Sequence, residues 1–169
     1  SEEQIHQQME DLAFVNALNQ AANRGESLER IMEILSAEGR RIFRCLDVAI
    51  YLLSPDGQSI TLQHGTLPKP LKNGIEKILG HPIPKVQIPV LPGGFFHAVI
   101  NSDMGVITSD PEALQRWMLE FAETPFLPGL VRPAVKALIP QIFKLLNIRS
   151  VITVPLKSEN RTLGAIEIS

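Results

Sequence analysis

From Glu2 to about Asn23 the chain is made of helix formers without proline, and Ile5, Met9, Leu12, Asn16 and Asn19 recur at alternating steps of four and three. That spacing is a short heptad seam, with Phe14, Leu18 and Ala21 as a second apolar edge. Such a stripe either packs on the chain's own core, as short apolar stripes commonly do, or forms a dimer seam, for which Ile5, Met9 and Leu12 are the candidates. Gly25 breaks the pattern, and Ser27 is placed to cap a second helix carrying Leu28, Ile31, Met32, Leu35, Ile42, Phe43 and Leu46 on one face. Gly39 falls within that face. A glycine there gives up helix propensity but admits a neighbouring backbone, so this helix is expected to lie tight on a sheet. Arg40, Arg41 and Arg44 near its end read as a solvated face favoured by the helix dipole rather than as an anion site.

Val48 to Leu53 is a β-branched and aliphatic run, Ser54-Pro55-Asp56-Gly57 supplies turn chemistry, and Ile60 and Leu62 then alternate with Ser59, Thr61 and Gln63. The pattern predicts a hairpin. A second hairpin is predicted at the far end, where Val151 to Leu156 and Leu163 to Ser169 flank a polar turn from Lys157 to Thr162. Two sequentially distant hairpins joined through helices imply one shared antiparallel sheet and an α+β layering rather than βαβ units.

The segment between the hairpins holds most of the 13 prolines, which forbids long regular elements across its first third. Short pieces are expected: a helix from Leu71 to Leu79, an edge strand from Lys85 to Val90, a helix from Phe95 to Ile100 and a strand from Gly105 to Thr108. Asp110-Pro111 pairs an N-cap residue with proline at the first helical position, and Leu114, Trp117, Met118 and Phe121 form one face of the helix that follows. Pro140 is expected to open a last helix, ended by Asn147 as a left-handed cap.

A chain of 169 residues, 44% hydrophobic and 20% charged, is long enough to bury one core. The formal net charge of −2 offers no cationic excess for nucleic acid or anionic lipid, and no apolar run reaches membrane-spanning length, so neither partner is expected. Cys45 is the only cysteine, which excludes an intrachain disulfide and fits a cytoplasmic setting; it reads as a small buried hydrophobe. Walker, Gly-x-Ser-x-Gly, His-Glu-x-x-His and Gly-x-Gly-x-x-Gly motifs are absent, and His6, His64, His81 and His97 lack metal-ligand spacing. The residues therefore name no catalytic group and no metal site.

Taken in order, these elements resemble a GAF domain. The run Leu146-Asn147-Ile148-Arg149-Ser150-Val151-Ile152-Thr153-Val154-Pro155-Leu156 looks like the family's approach to a core strand, and Thr162 to Ile168 like the strand after it. Cys45 to Ser54 is similar to the family's first strand, and Gly105 to Pro111 to a common strand-to-helix join. The likeness spans residues from about 10 to 169, each motif being mostly hydrophobic patterning and the ordered set carrying the weight. It implies a GAF-like (profilin-like) α+β fold: a central antiparallel sheet, helices on one face, and a ligand-pocket segment of short helices and loops on the other. Residues 1–24 would then be an N-terminal dimer or signalling helix, and residues 25–169 a single GAF-like domain cut before its C-terminal helix.

The resemblance also implies a non-catalytic sensory input domain of a signal-transduction protein, of the sensor histidine kinase kind within a two-component system. Such a domain would bind a small molecule and relay the change through its terminal helices to adjacent domains of the same chain, as a homodimer. The alternative is a ligand-free dimerisation and relay module. Cyclic nucleotide is disfavoured, because Asn73, Asn147 and Asn160 are followed by Gly74, Ile148 and Arg161 rather than by lysine. Bilin is disfavoured because Cys45 precedes the first strand, and a methionine sulfoxide reductase cycle lacks its second thiol. Haem would need His97, which reads more simply as a packed residue beside Phe95 and Phe96. The pocket candidates are Phe95, Phe96, His97, Trp117, Phe121 and Phe126 as its aromatic part, with Ser150 at a strand lip. Tyr51 and Glu167 complete the set: they have opposite parity to Val48, Ile50 and Leu52 and to Ile166 and Ile168, so if those aliphatics meet helices, Tyr51 and Glu167 face the pocket.

Overall fold

The structure is a computed structural model that describes residues 1–6, 9 and 24–169. Val48–Leu53 (β1), Ser59–Gly65 (β2), Gln87–Pro89 (β3), Val106–Thr108 (β4), Val151–Ser158 (β5) and Arg161–Ile168 (β6) form one antiparallel sheet in the order β3-β2-β1-β6-β5-β4. The β1–β6 pair at its centre joins the two hairpins from opposite ends of the sequence. In the second hairpin the polar turn is shorter than its composition suggests. Lys157 still pairs with Thr162 and Ser158 with Arg161, leaving Glu159 and Asn160 as a two-residue turn with φ of 52° and 63°. Positive φ at both central positions matches the right-handed twist of the flanking strands, so the ladder runs on into the polar residues.

Among the described residues five longer helices accompany this sheet: Leu28–Phe43 (α1), Lys69–Leu79 (α2), Phe95–Ile100 (α3), Pro111–Phe121 (α4) and Arg132–Leu146 (α5). Ser27 caps α1, its Oγ accepting the Arg30 N–H at 3.3 Å, and Asp110 caps α4 by accepting from Ala113 N–H at 3.0 Å. Asn147 ends α5 in the left-handed conformation, as its side chain predicts. The start of α5 corrects the sequence reading. It opens at Arg132, with Pro133 in the first turn, and Pro140 sits inside it. Proline removes one helical hydrogen bond, but Val135, Ile139 and Ile142 are buried on both sides of Pro140, and their burial holds the helix through the gap.

Alternation along β1 and β6 sorts side chains onto two faces. On the outer face Val48 meets α1 at Gly39, where a Cβ would stand 3.2 Å from Val48 Cγ2, the close approach expected of that glycine. The inner face carries Ala49 and Tyr51 on β1, Ala165 and Glu167 on β6, and Val151 and Thr153 on β5, all buried. Over it, α3 and α4 join the main core and α2 packs along α5. Gly164 lets β1 close on β6, since any side chain there would strike the Tyr51 carbonyl oxygen. Cys45 is half-buried rather than buried, and that burial pushes its thiol above the usual range. At the N-terminus residues 2–6 are helical, with Ile5 58% and Met9 65% exposed; Leu12, Asn16 and Asn19 lie outside the described residues.

Candidate functional site

Parity places Tyr51 and Glu167 on the inner face, and register makes them diagonal neighbours, because Glu167 pairs with Ala49 and Tyr51 with Ala165. The Tyr51 hydroxyl donates to Glu167 Oε1 at 2.9 Å. From α4 the Trp117 indole N–H donates to Glu167 Oε2 at 2.9 Å, and from β5 the Thr153 hydroxyl donates to the same oxygen at 3.3 Å. Among the described residues no lysine, arginine or histidine forms an ion pair with this carboxylate, which is 4% exposed. Burial raises the Glu167 carboxyl to about 7, with repulsion from Asp47 adding to it against the lowering by its three donors. Burial, and then the Glu167 charge, push the Tyr51 phenol well above its usual range. Tyr51 is therefore a fixed donor, and Glu167 is the group whose charge can change near neutral pH.

Behind this cluster of four stands an aromatic layer. Phe96 meets Tyr51 with ring centroids 5.1 Å apart, Trp117 meets Phe121 edge-on at 5.3 Å, and Phe95 packs on Phe96 at 5.2 Å. The short helix α3 is tied down by Glu120 of α4, whose two carboxylate oxygens accept the Phe95 N–H at 3.1 and 3.0 Å. Desolvation raises that carboxyl to about 6.

Above Tyr51, Trp117 and Glu167 lies a cavity of about 480 Å³. Its floor continues through Ala49 to Asp47, whose Oδ1 accepts the Thr66 N–H at 2.7 Å and the Thr66 hydroxyl at 3.1 Å. Its walls are apolar: Ile75 and Leu79 from α2, Met118 and Phe121 from α4, Ile139 and Ile142 from α5. Lys72, Glu76 and Lys85 stand at the rim. Buried Thr124 fixes one side of the opening, donating to the Lys85 carbonyl at 2.7 Å and accepting the Gln87 N–H at 3.2 Å.

Of the nine pocket candidates, Tyr51, Trp117, Phe121 and Glu167 line this cavity, and Phe95 and Phe96 pack behind it. His97, Phe126 and Ser150 do not line it. His97 is half-buried on α3; Ser150 is exposed ahead of β5; Phe126 is 50% exposed, with the Lys85 ammonium 5.3 Å from its ring. In the α4–α5 loop it is Leu127 that turns inward. Thr153 and Asp47 were legible but overlooked: each lies on the inner face by the same alternation that places Tyr51 and Glu167. The walls from α2 and α5 had no signal of their own. Among the described residues no group of three or more His, Cys, Asp or Glu side chains is placed to hold a metal ion, and no helix is long and apolar enough to cross a membrane.

No protein-family model matches the chain, and no curated protein matches its sequence. Solved structures do match in fold. The chain is similar to the GAF domain of an Acinetobacter phosphoenolpyruvate-protein phosphotransferase, at 15% identity and a TM-score of 0.54 over 95% of this chain and 75% of that one. It is also similar to the A. aeolicus nlh2 GAF domain in an inactive state, at 10% identity and a TM-score of 0.53 over 96% of this chain and 80% of that one. The fold is GAF-like, an antiparallel six-stranded sheet with helices, as the ordered sequence pattern implied.

Proposed function

We propose that this GAF-like chain is a non-catalytic, cytoplasmic sensory module that binds a small organic molecule in its cavity and passes the change to neighbouring domains of a signalling protein such as a sensor histidine kinase. The observation that carries the reading is the cavity itself: about 480 Å³, apolar on its walls, with a buried and hydrogen-bonded Glu167 at its floor. Ligand sites are commonly concave, largely apolar and fitted with a few convergent polar groups. The two solved neighbours lend support through their names, one being part of a phosphotransferase and the other having an inactive state. Their low identity keeps that support at the level of fold.

Native mass spectrometry beside the denatured mass tests the proposal. An adduct lost on denaturation supports binding and gives the ligand's mass; an adduct-free protein whose thermal midpoint is unmoved by any member of a metabolite set counts against it. A second reading, a ligand-free homodimeric relay, is favoured by the exposure of Ile5 and Met9 on helical residues near the N-terminus. It requires a dimer that Ile5→Asp together with Met9→Asp dissociates. A dimer untouched by those changes removes that seam.

A further inference from the structure

We propose that the cavity takes an organic cation: a protonated amine on an apolar body, its N–H groups directed at the Asp47–Glu167 side of the floor. The proposal rests on reading the cavity as a ligand site and adds the ligand's chemical class. Asp47 and Glu167 both line the cavity from the inner face of the central strand pair, where Ala49 is the register partner of Glu167 and Asp47, bonded through its backbone to Ser169, is its diagonal neighbour. Three donors occupy Glu167, whereas a carboxylate has about four acceptor positions, so one remains on Oε1. Asp47 accepts both Thr66 bonds on Oδ1, and its Oδ2 has no hydrogen-bond partner among the described residues. Among the described residues no lysine, arginine or histidine stands on the floor. Lys72 and Lys85 are exposed at the rim, where water screens them.

These facts rank three ligand classes. A carboxylate would meet two carboxyl groups on the floor, between apolar walls. A neutral molecule would leave Glu167 buried without a counter-charge whenever it ionises. An ammonium supplies that counter-charge, and the aromatic residues Trp117 and Phe121 line the same cavity. The apolar walls from α2, α4 and α5 accept the rest of the molecule.

The titratable and charged groups around the floor are Asp47 and Tyr51 from the β1 segment, Glu120 on α4, Lys72 and Glu76 on α2, and Lys85 at the rim. Burial raises Glu120 to about 6 and Glu167 to about 7, and Glu167 alone of the two lines the cavity. Amine affinity should therefore rise by about tenfold between pH 6 and pH 8, as Glu167 ionises through about 7 while the amine stays protonated.

The test uses two matched probe sets, phenylpropylamine with phenylpropanol and phenylpropionate, and octylamine with octanol and octanoate. Calorimetry gives affinity, and the emission of Trp117, the single tryptophan, reports the Glu167 contact. The expected result is that amines bind at least about tenfold tighter than alcohols or acids at pH 8. Glu167→Gln should remove both that preference and the pH dependence. Asp47→Asn, which keeps an oxygen for Thr66, should weaken amines severalfold and serves if the first variant does not fold. Acids binding as well as amines, or an amine preference intact in both variants, overturns the cation proposal and leaves the sensory reading in place. Binding by no probe, together with an adduct-free native mass, overturns both.

Discussion

The two faces of the β1–β6 pair are built from alternate residues of the same strands, yet they bury opposite chemistry. On the outer face Val48 and Ile50 are 2% and 1% exposed and are aliphatic, and each buried side chain of that kind contributes about 2 kcal/mol whatever the pH. On the inner face Glu167 is as deeply buried, and its ionisation is opposed by burial. Its folded-state value of about 7 lies above the ordinary 4.5, so its contribution is full below about pH 4.5 and is lost as pH rises through about 7. Replacing a buried ionisable group with apolar packing is often neutral or stabilising. A leucine here would meet the same apolar neighbours without titrating, so the pH dependence of the inner face is set by this one carboxyl.

The sharpest break in the comparison is a cut through the aromatic layer that supports the inner face. Phe96 is fully buried against Tyr51 and Phe95, and Phe96→Ala should cost about 4 kcal/mol in urea unfolding. A loss below about 1 kcal/mol would mean that α3 is not docked as described.

Next in size is Glu167→Gln. The amide oxygen, placed where Oε2 stands, accepts from both Trp117 and Thr153, and the amide N–H at the Oε1 position can donate to the Tyr51 oxygen, so the variant imitates the protonated acid without its ionisation. Wild type and variant should be equally stable below about pH 4.5, and the variant more stable by about 3 kcal/mol at pH 8. Parallel stability curves across that range would show that ionisation of Glu167 carries no burial cost.

The outer face should respond in the opposite way. Gly39→Leu drives a side chain into Val48 and should cost about 2 kcal/mol by overpacking, with no change between pH 4.5 and 8. A pH-dependent loss would show that the two faces are not independent.

The sequence was most informative where its rules are periodic. Tyr51 and Glu167 could be assigned to one face because strand side chains alternate strictly, and the prolines around it confined Phe95–Ile100 to a short helix. Pro140 misled because the proline rule is local, whereas Val135, Ile139 and Ile142 hold α5 through tertiary contacts that no local rule sees. The cavity walls were hidden for a related reason. Ile75 or Ile142 on an amphipathic helix looks the same whether it meets another side chain or open space.

The smallest effect concerns Phe126, an aromatic candidate that the fold turns out of the pocket. Phe126 and Leu127 are adjacent apolar residues in a loop between two helices, where no period says which one points inward. Leu127 is 5% exposed and lines the cavity, while Phe126 is 50% exposed with the Lys85 ammonium over its ring. An exposed cation–ring contact is worth about 0.5–1 kcal/mol at most, and half of the ring already faces water. Phe126→Ala should therefore shift unfolding by no more than about 0.5 kcal/mol, whereas Leu127→Ala should cost about 2–3 kcal/mol. Equal losses at the two positions would mean that the loop swings to place either side chain over the cavity mouth, and the rim would then be a moving part of the site rather than a fixed edge.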